Sequence, residues 1–145
     1  MYQHILLPTD GSELSTQAVR AGMRLAKSLG ARVTALHTTP QFYPSQMLAS
    51  EIIERAREYE KQTKEEAAEV LGAVKETARE AGVACNALQR ASNSPWEEII
   101  KVAAEEGCDL LCMASHGRHG VSALLLGSET TKVLTHSKIP VLVYR

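Results

Sequence analysis

The stretch Ile5-Leu6-Leu7-Pro8-Thr9-Asp10-Gly11-Ser12-Glu13 decides the fold class. Ile5-Leu6-Leu7 is an unbroken apolar run, which suits a strand buried on both faces rather than one with a wet side. Pro8-Thr9-Asp10-Gly11 closes it as a turn. Ser12 offers a capping oxygen, and Glu13 places a negative charge in the first turn of a helix. Leu14, Ala18, Ala21, Leu25 and Leu29 recur at three- and four-residue steps as one apolar face. Gly30 ends that helix in the C′ manner. A strand buried on both faces that feeds directly into an amphipathic helix opens a βα unit of a parallel sheet.

The pattern repeats outward from this unit. Arg32 to Thr38, with Val33, Ala35 and Leu36, reads as a second strand. Gln41 to Ser50, with Pro44 and two aromatics, is a loop. From about Met47 to Ala81 the chain is charged and alanine-rich, with Glu–Lys and Glu–Arg pairs at helical spacing, so a single long helix is predicted. Its stripe runs Leu48, Ile52, Ala56, Tyr59, Thr63, Ala67, Val70 and Val74. That stripe is too poor in Leu and Ile for a coiled-coil seam. Gly82 closes the helix, and Val83 to Arg90 is the third strand. Ser94-Pro95-Trp96-Glu97-Glu98 is a helix start, with Ser as cap, Pro at the first position and acids at the positive dipole end. Ile99, Ile100 and Ala103 form its apolar face, Trp96 anchors it to the sheet, and Gly107 stops it. Leu110 to Ala114 is the fourth strand, Ser128 to His136 a helix, and Val141-Leu142-Val143 the last strand. Strands alternating with helices imply one domain over residues 1–145: an open, doubly wound, five-stranded parallel sheet with helices on both faces.

The chain of 145 residues can bury roughly 70% of its unfolded surface, enough for a self-supporting core. With 44% hydrophobic and 23% charged residues, the composition is that of a globular domain. A net charge of −1 argues against a general nucleic-acid binder, which needs a basic face to displace counterions. No apolar run approaches the ~20 residues of a membrane span, and Met1-Tyr2-Gln3-His4 has no signal-peptide character. The 3 cysteines, Cys85, Cys108 and Cys112, do not read as a disulfide framework, so a reducing, cytoplasmic setting is expected. Cys108 and Cys112 fall at and inside a buried strand and read as core.

In open parallel sheets ligands sit beyond the carboxyl ends of the strands, where strand order reverses. Two loops lie at such ends: Pro8-Thr9-Asp10-Gly11, and Ser115-His116-Gly117-Arg118-His119-Gly120 running on to Gly127-Ser128. Gly117 and Gly127 permit close backbone approach. Gly127-Ser128 opens a helix whose free N–H groups favour anions. The hydroxyls of Ser115, Ser128 and Thr130 are further donors. The segment is either a phosphate cradle or a plain glycine-containing connection. Neither G-x-x-x-x-G-K-[ST] nor G-x-G-x-x-G after the first strand is present.

Taken together, Pro8-Thr9-Asp10-Gly11-Ser12, Ser115-His116-Gly117-Arg118, Leu125-Leu126-Gly127-Ser128 and Lys138-Ile139-Pro140-Val141-Leu142-Val143 resemble the universal stress protein family, in order and along essentially the whole chain. Its nucleotide-binding branch carries G-x-x-G, nine residues, then G-[ST]. Gly117, Gly127 and Ser128 match that pattern, and Ala114 stands for the first glycine. The resemblance implies strand order 3-2-1-4-5 and a site for ATP or AMP with Mg²⁺. Asp10 would approach the ribose or a phosphate-bound cation. Pro8 and Thr9 would shape the adenosine pocket, Thr38 would contact adenine, and Met113 and Ala114 would border the nucleotide. Gly117, Gly127, Ser128 and Thr130 would hold phosphates and ribose. Glu129 would sit at the helix N-terminus beside them, where like charges repel unless Mg²⁺ or Arg118 screens them or Glu129 turns outward. The resemblance also implies a homodimer along the edge strand Val141–Tyr144, an edge whose free backbone groups invite pairing.

Three functional classes follow: a nucleotide-binding stress or regulatory protein, a slow ATPase using Asp10, His119 or Glu129, and a nucleotide-free interaction module. His116 and His119 with Cys112 do not match a common zinc spacing. His37 reads as a packed or rim residue, and Ser115 lacks the partnered base of a nucleophile.

Overall fold

The computed structural model describes residues 1–118 and 125–145. Its elements are β1 (His4–Pro8), α1 (Glu13–Leu29), β2 (Arg32–Thr39), α2 (Ala49–Ala81), β3 (Cys85–Ala91), α3 (Pro95–Glu105), β4 (Leu110–Ala114), α4 (Ser128–His136) and β5 (Val141–Tyr144). The strands form one sheet in the order β3-β2-β1-β4-β5, and every pairing is parallel. The expected architecture is therefore present, doubly wound on a central β1.

Alternation along the central strands sorts the core into two layers. Ile5, Leu7, Val33, Ala35, Leu110 and Cys112 pack with Val19, Met23 and Ala26 of α1 and Leu71, Val74 and Ala78 of α2. Leu6, Leu36, Leu111 and Met113 face the other way, onto Ile99, Val102 and Ala103 of α3 and Val133 of α4. Burial on both faces is what the unbroken Ile5-Leu6-Leu7 run anticipates, and all three side chains have 0% exposure.

The helices depart from expectation in where their apolar stripes centre. In α1 the buried residues are Ser15, Ala18, Val19, Gly22, Met23 and Ala26, and Leu14, Ala21, Leu25 and Leu29 fall to the margin. The helix sits close enough to β1 that glycine is needed at position 22. A Cβ built on Gly22 would lie 2.5 Å from Leu7 Cδ2. In α2 only the carboxyl-terminal half reaches the core, through Ala67, Leu71, Val74 and Ala78. Its first turns bury no residue, and Ile53 and the N-cap Leu48 are exposed. The Ser12 hydroxyl caps α1 by accepting from Ser15 N–H at 3.3 Å. Ser94, by contrast, makes no side-chain cap bond: its backbone carbonyl takes the Glu97 and Glu98 N–H groups, and another residue's side chain serves that helix end.

Candidate functional site

β1 and β4 pair only at Ile5–Leu110 and Leu6–Leu111, although β1 runs on to Pro8 and β4 to Ala114. The strands splay beyond Leu6 because their chains leave toward opposite faces, β1 into α1 and β4 toward α4. The opening becomes a cavity of about 810 Å³, within the size range of small-molecule sites.

The loop after β1 is locked by short-range bonds. Thr9 N–H donates to Leu36 O at 2.9 Å, which holds the turn to the end of β2. Thr9 Oγ1 accepts from Ser15 Oγ–H at 2.8 Å and from Gly11 N–H at 3.2 Å. Asp10 bridges this loop to the next. Its Oδ1 accepts from Ser12 N–H at 2.9 Å and its Oδ2 from Arg118 N–H at 2.8 Å. Burial pushes the Asp10 carboxyl up, but the hydrogen bonds from Ser12 and Arg118 outweigh it and hold the group below the usual carboxylate range. The bridge also explains Gly117, whose Cβ would lie 2.2 Å from Asp10 Oδ2.

The loop after β4 is held by Ser115 N–H donating to Tyr144 O at 2.8 Å and by Gly127 N–H donating to Ser115 O at 2.7 Å. A Cβ on Gly127 would meet His116 Cα and Ser115 O, each at 3.2 Å, so the two limbs of the connection touch through their backbones. Gly127 is the N-cap of α4 and has no side chain to cap with. The amino end of α4 therefore opens onto the cavity through backbone N–H groups, which favour an anion. His119 and Gly120 lie outside the described residues.

Of the residues designated from the sequence, Pro8, Thr9, Asp10, Thr38, Met113, Ala114, Gly117, Arg118, Gly127, Ser128, Glu129 and Thr130 line this one cavity, whereas Ser115 is buried and does not line it. Three of the lining residues have their side chains engaged elsewhere. Thr130 Oγ–H donates to Ala114 O at 3.0 Å, so its hydroxyl proton is not free for a phosphate. Glu129 Oε2 accepts from Trp96 N–H at 2.9 Å, so it is Glu129 that caps α3 and its carboxylate turns from α4 toward α3. Arg118 Nη1 pairs with Glu66 Oε1 at 2.8 Å.

Sequence reasoning missed the contribution of α2. Tyr59, Gln62, Thr63 and Glu66 line the cavity, as do Ser92 and Asn93 after β3. Tyr59 and Thr63 read as members of a core stripe. The available signal was their polarity, which a stripe headed for the core would not carry. Tyr59 instead donates its hydroxyl proton to Pro40 O and packs on Phe42 with ring centroids 5.5 Å apart. His37 is packed, as expected: Nδ1–H donates to Thr9 O at 2.9 Å. Trp96 packs beside His136 of α4 with ring centroids 4.5 Å apart. Burial pushes the Cys108 and Cys112 thiols up to about 11, which suits core residues rather than reactive ones. Among the described residues no cluster of three or more His, Cys, Asp or Glu could hold a metal ion, and no helix is long and apolar enough to cross a membrane.

The chain is similar to the Bacillus subtilis universal stress protein YxiE, 32% identical over 152 residues that cover 100% of both chains. The solved structure of MJ0577 from Methanocaldococcus jannaschii superimposes with a TM-score of 0.84 at 30% identity, covering 99% of this chain and 96% of that one. A universal stress protein in complex with cAMP shares the fold at a TM-score of 0.73 and 21% identity, covering 99% and 97% of the two chains. A family member from Arabidopsis thaliana with AMP bound shares it at 0.69 and 17%, covering 98% and 90%. The family model described as the universal stress protein family matches residues 1–145. With its sheet order, its splayed β1–β4 crevice and its two glycine-bearing loops, this chain belongs to the universal stress protein family.

Proposed function

We propose that this chain binds an adenine nucleotide, ATP or AMP, in the β1–β4 cavity and serves as a stress-response or regulatory protein rather than primarily as a catalyst. One observation carries the reading: residues from separated loops and strands line one cavity at the carboxyl end of the sheet, beside the amino end of α4, whose N-cap Gly127 has no side chain. The family members with cAMP and AMP bound support it. In this reading α4 and Gly127 take a phosphate, Thr38 and Met113 border the base, and Asp10 faces the ribose or a phosphate-bound Mg²⁺. Occupancy would change the surface that the Asp10–Arg118 bridge presents to partners. Titration calorimetry with AMP, ATP and cAMP tests this. Saturable binding lost in Gly117→Val supports it, and unchanged affinity in that variant removes the site assignment.

The ATPase alternative finds less support. Of its three candidates, Asp10 is hydrogen-bonded at both oxygens and Glu129 caps α3, so neither is placed as a free base, and His119 lies outside the described residues. The proposal includes a homodimer. β5 is the outer strand of the sheet, and its Leu142 is 41% exposed. Sedimentation equilibrium of Leu142→Asp reads it: a dimer converted to monomer supports pairing along Val141–Tyr144, and an unaffected dimer places the interface elsewhere. The free cysteines fit a cytoplasmic setting.

A further inference from the structure

Among the described residues the fixed charges that line the cavity are Asp10, Glu66, Glu129 and Arg118. Glu129 turns toward α3 and pairs with Lys132 at 3.4 Å, which leaves Asp10 and Glu66 against Arg118. The residues from 119 to 124 add no Lys, Arg, Asp or Glu to that balance. The one cation is not directed at the amino end of α4. Its Nη1 lies 2.8 Å from Glu66 Oε1, and its Nη2 lies 3.3 Å from where a Cβ on Gly11 would stand. The guanidinium therefore lies over the turn after β1 and against α2, and its backbone N–H is held by Asp10 Oδ2. Among the described residues, what remains for a phosphate is the α4 terminus, whose dipole offers about half a positive charge within its first turn. That suits one phosphate group.

A cyclic monophosphate carries a single negative charge, an open monophosphate about two, and a metal-free triphosphate about four. Each phosphate beyond the first would extend from α4 toward a wall whose carboxylates outnumber its cation. We infer that the cavity selects a nucleoside monophosphate, open or cyclic, over a metal-free triphosphate, and that Glu66 sets this selectivity by holding the Arg118 guanidinium. The inference rests on the nucleotide reading of the cavity and names the ligand class and the residue that enforces it. A divalent cation cancels much of the triphosphate's excess charge, so Mg²⁺ narrows the difference. Salt narrows it too, because the pair is partly exposed.

The test is calorimetric titration of the whole chain with AMP, cAMP and ATP in EDTA at low salt, for the wild type, Glu66→Gln and Glu69→Gln. Glu69 makes the same change in net charge from the same helix, but lines the groove between α1 and α2 and not this cavity. The expected result is ATP binding roughly tenfold weaker than AMP. Glu66→Gln shrinks that ratio at least about threefold through tighter ATP binding, whereas Glu69→Gln leaves it in place. Metal-free ATP binding as tightly as AMP overturns the inference and leaves the nucleotide reading standing. A ratio that does not change in Glu66→Gln, or that changes equally in Glu69→Gln, overturns the role given to Glu66. If none of the three ligands binds at millimolar concentration, the nucleotide reading falls and takes the inference with it.

Discussion

Gly117→Ala is the substitution whose outcome the geometry constrains most tightly. Gly117 is not among the glycines with positive φ, so an alanine there incurs no left-handed strain. The cost is steric. The new Cβ would stand 2.2 Å from Asp10 Oδ2, and carbon does not approach oxygen closer than about 3 Å, so one of them must move by about 1 Å. Moving Asp10 by that much stretches its 2.8 Å bond from Arg118 N–H beyond hydrogen-bond range. A charged hydrogen bond of this kind contributes about 1.5–3 kcal/mol, and the half-exposed site places it at the low end. The lost entropy of the unfolded glycine returns about 0.5 kcal/mol. The net expectation is a destabilisation of about 1 kcal/mol in urea unfolding at constant m. The decisive measurement is a double-mutant cycle with Asp10→Ser, which removes the obstructing oxygen. On that background Gly117→Ala should be neutral or slightly stabilising, giving a coupling energy of about 1 kcal/mol. Additive effects within about 0.3 kcal/mol would refute the claim that Gly117 exists to make room for Asp10.

Three other outcomes follow from single contacts. Gly22→Ala would drive a Cβ to 2.5 Å from Leu7 Cδ2, a side chain with 0% exposure and no room to swing. Overpacking of about 1–3 kcal/mol should exceed the gain of about 1 kcal/mol in helix propensity, and a more stable variant would contradict the packing described. Glu129→Ala should cost about 1 kcal/mol and speed hydrogen exchange at the Trp96 amide, whereas Glu129→Gln, which keeps an acceptor, should retain most protection. His4 is held neutral by burial and by Arg32, with its pKa lowered. The unfolded chain then binds the extra proton, so stability falls as pH drops below about 6.5 and is regained above it. His4→Gln should flatten that slope in denaturant titrations between pH 7 and 5, and an unchanged slope would assign the acid sensitivity to other groups.

What the residues determined by themselves is largely local. Ile5-Leu6-Leu7 announced a strand covered on both sides, and α4 begins at Ser128 and ends at His136 as its sequence predicts, because caps, turn residues and apolar periodicity act over a few residues. The cavity's loops were legible for the same reason, since glycine spacing and strand ends are sequence properties. Tertiary structure decided which face of each helix is buried. In α1 the buried face centres on Val19, Gly22, Met23 and Ala26, with Leu25 and Leu29 at its margin, because the helix crosses β1 with Gly22 against Leu7, an approach that leaves no room for a side chain there. It also decided the partners of charged groups far apart in the chain. Glu66 meets Arg118 across 52 residues, and Glu129 meets the Trp96 amide across 33. The Glu66–Arg118 meeting depends on how a 33-residue helix packs against β2, β3 and α1, and the Glu129–Trp96 meeting on how α4 packs beside α3, placements set by the whole core and not by any local pattern.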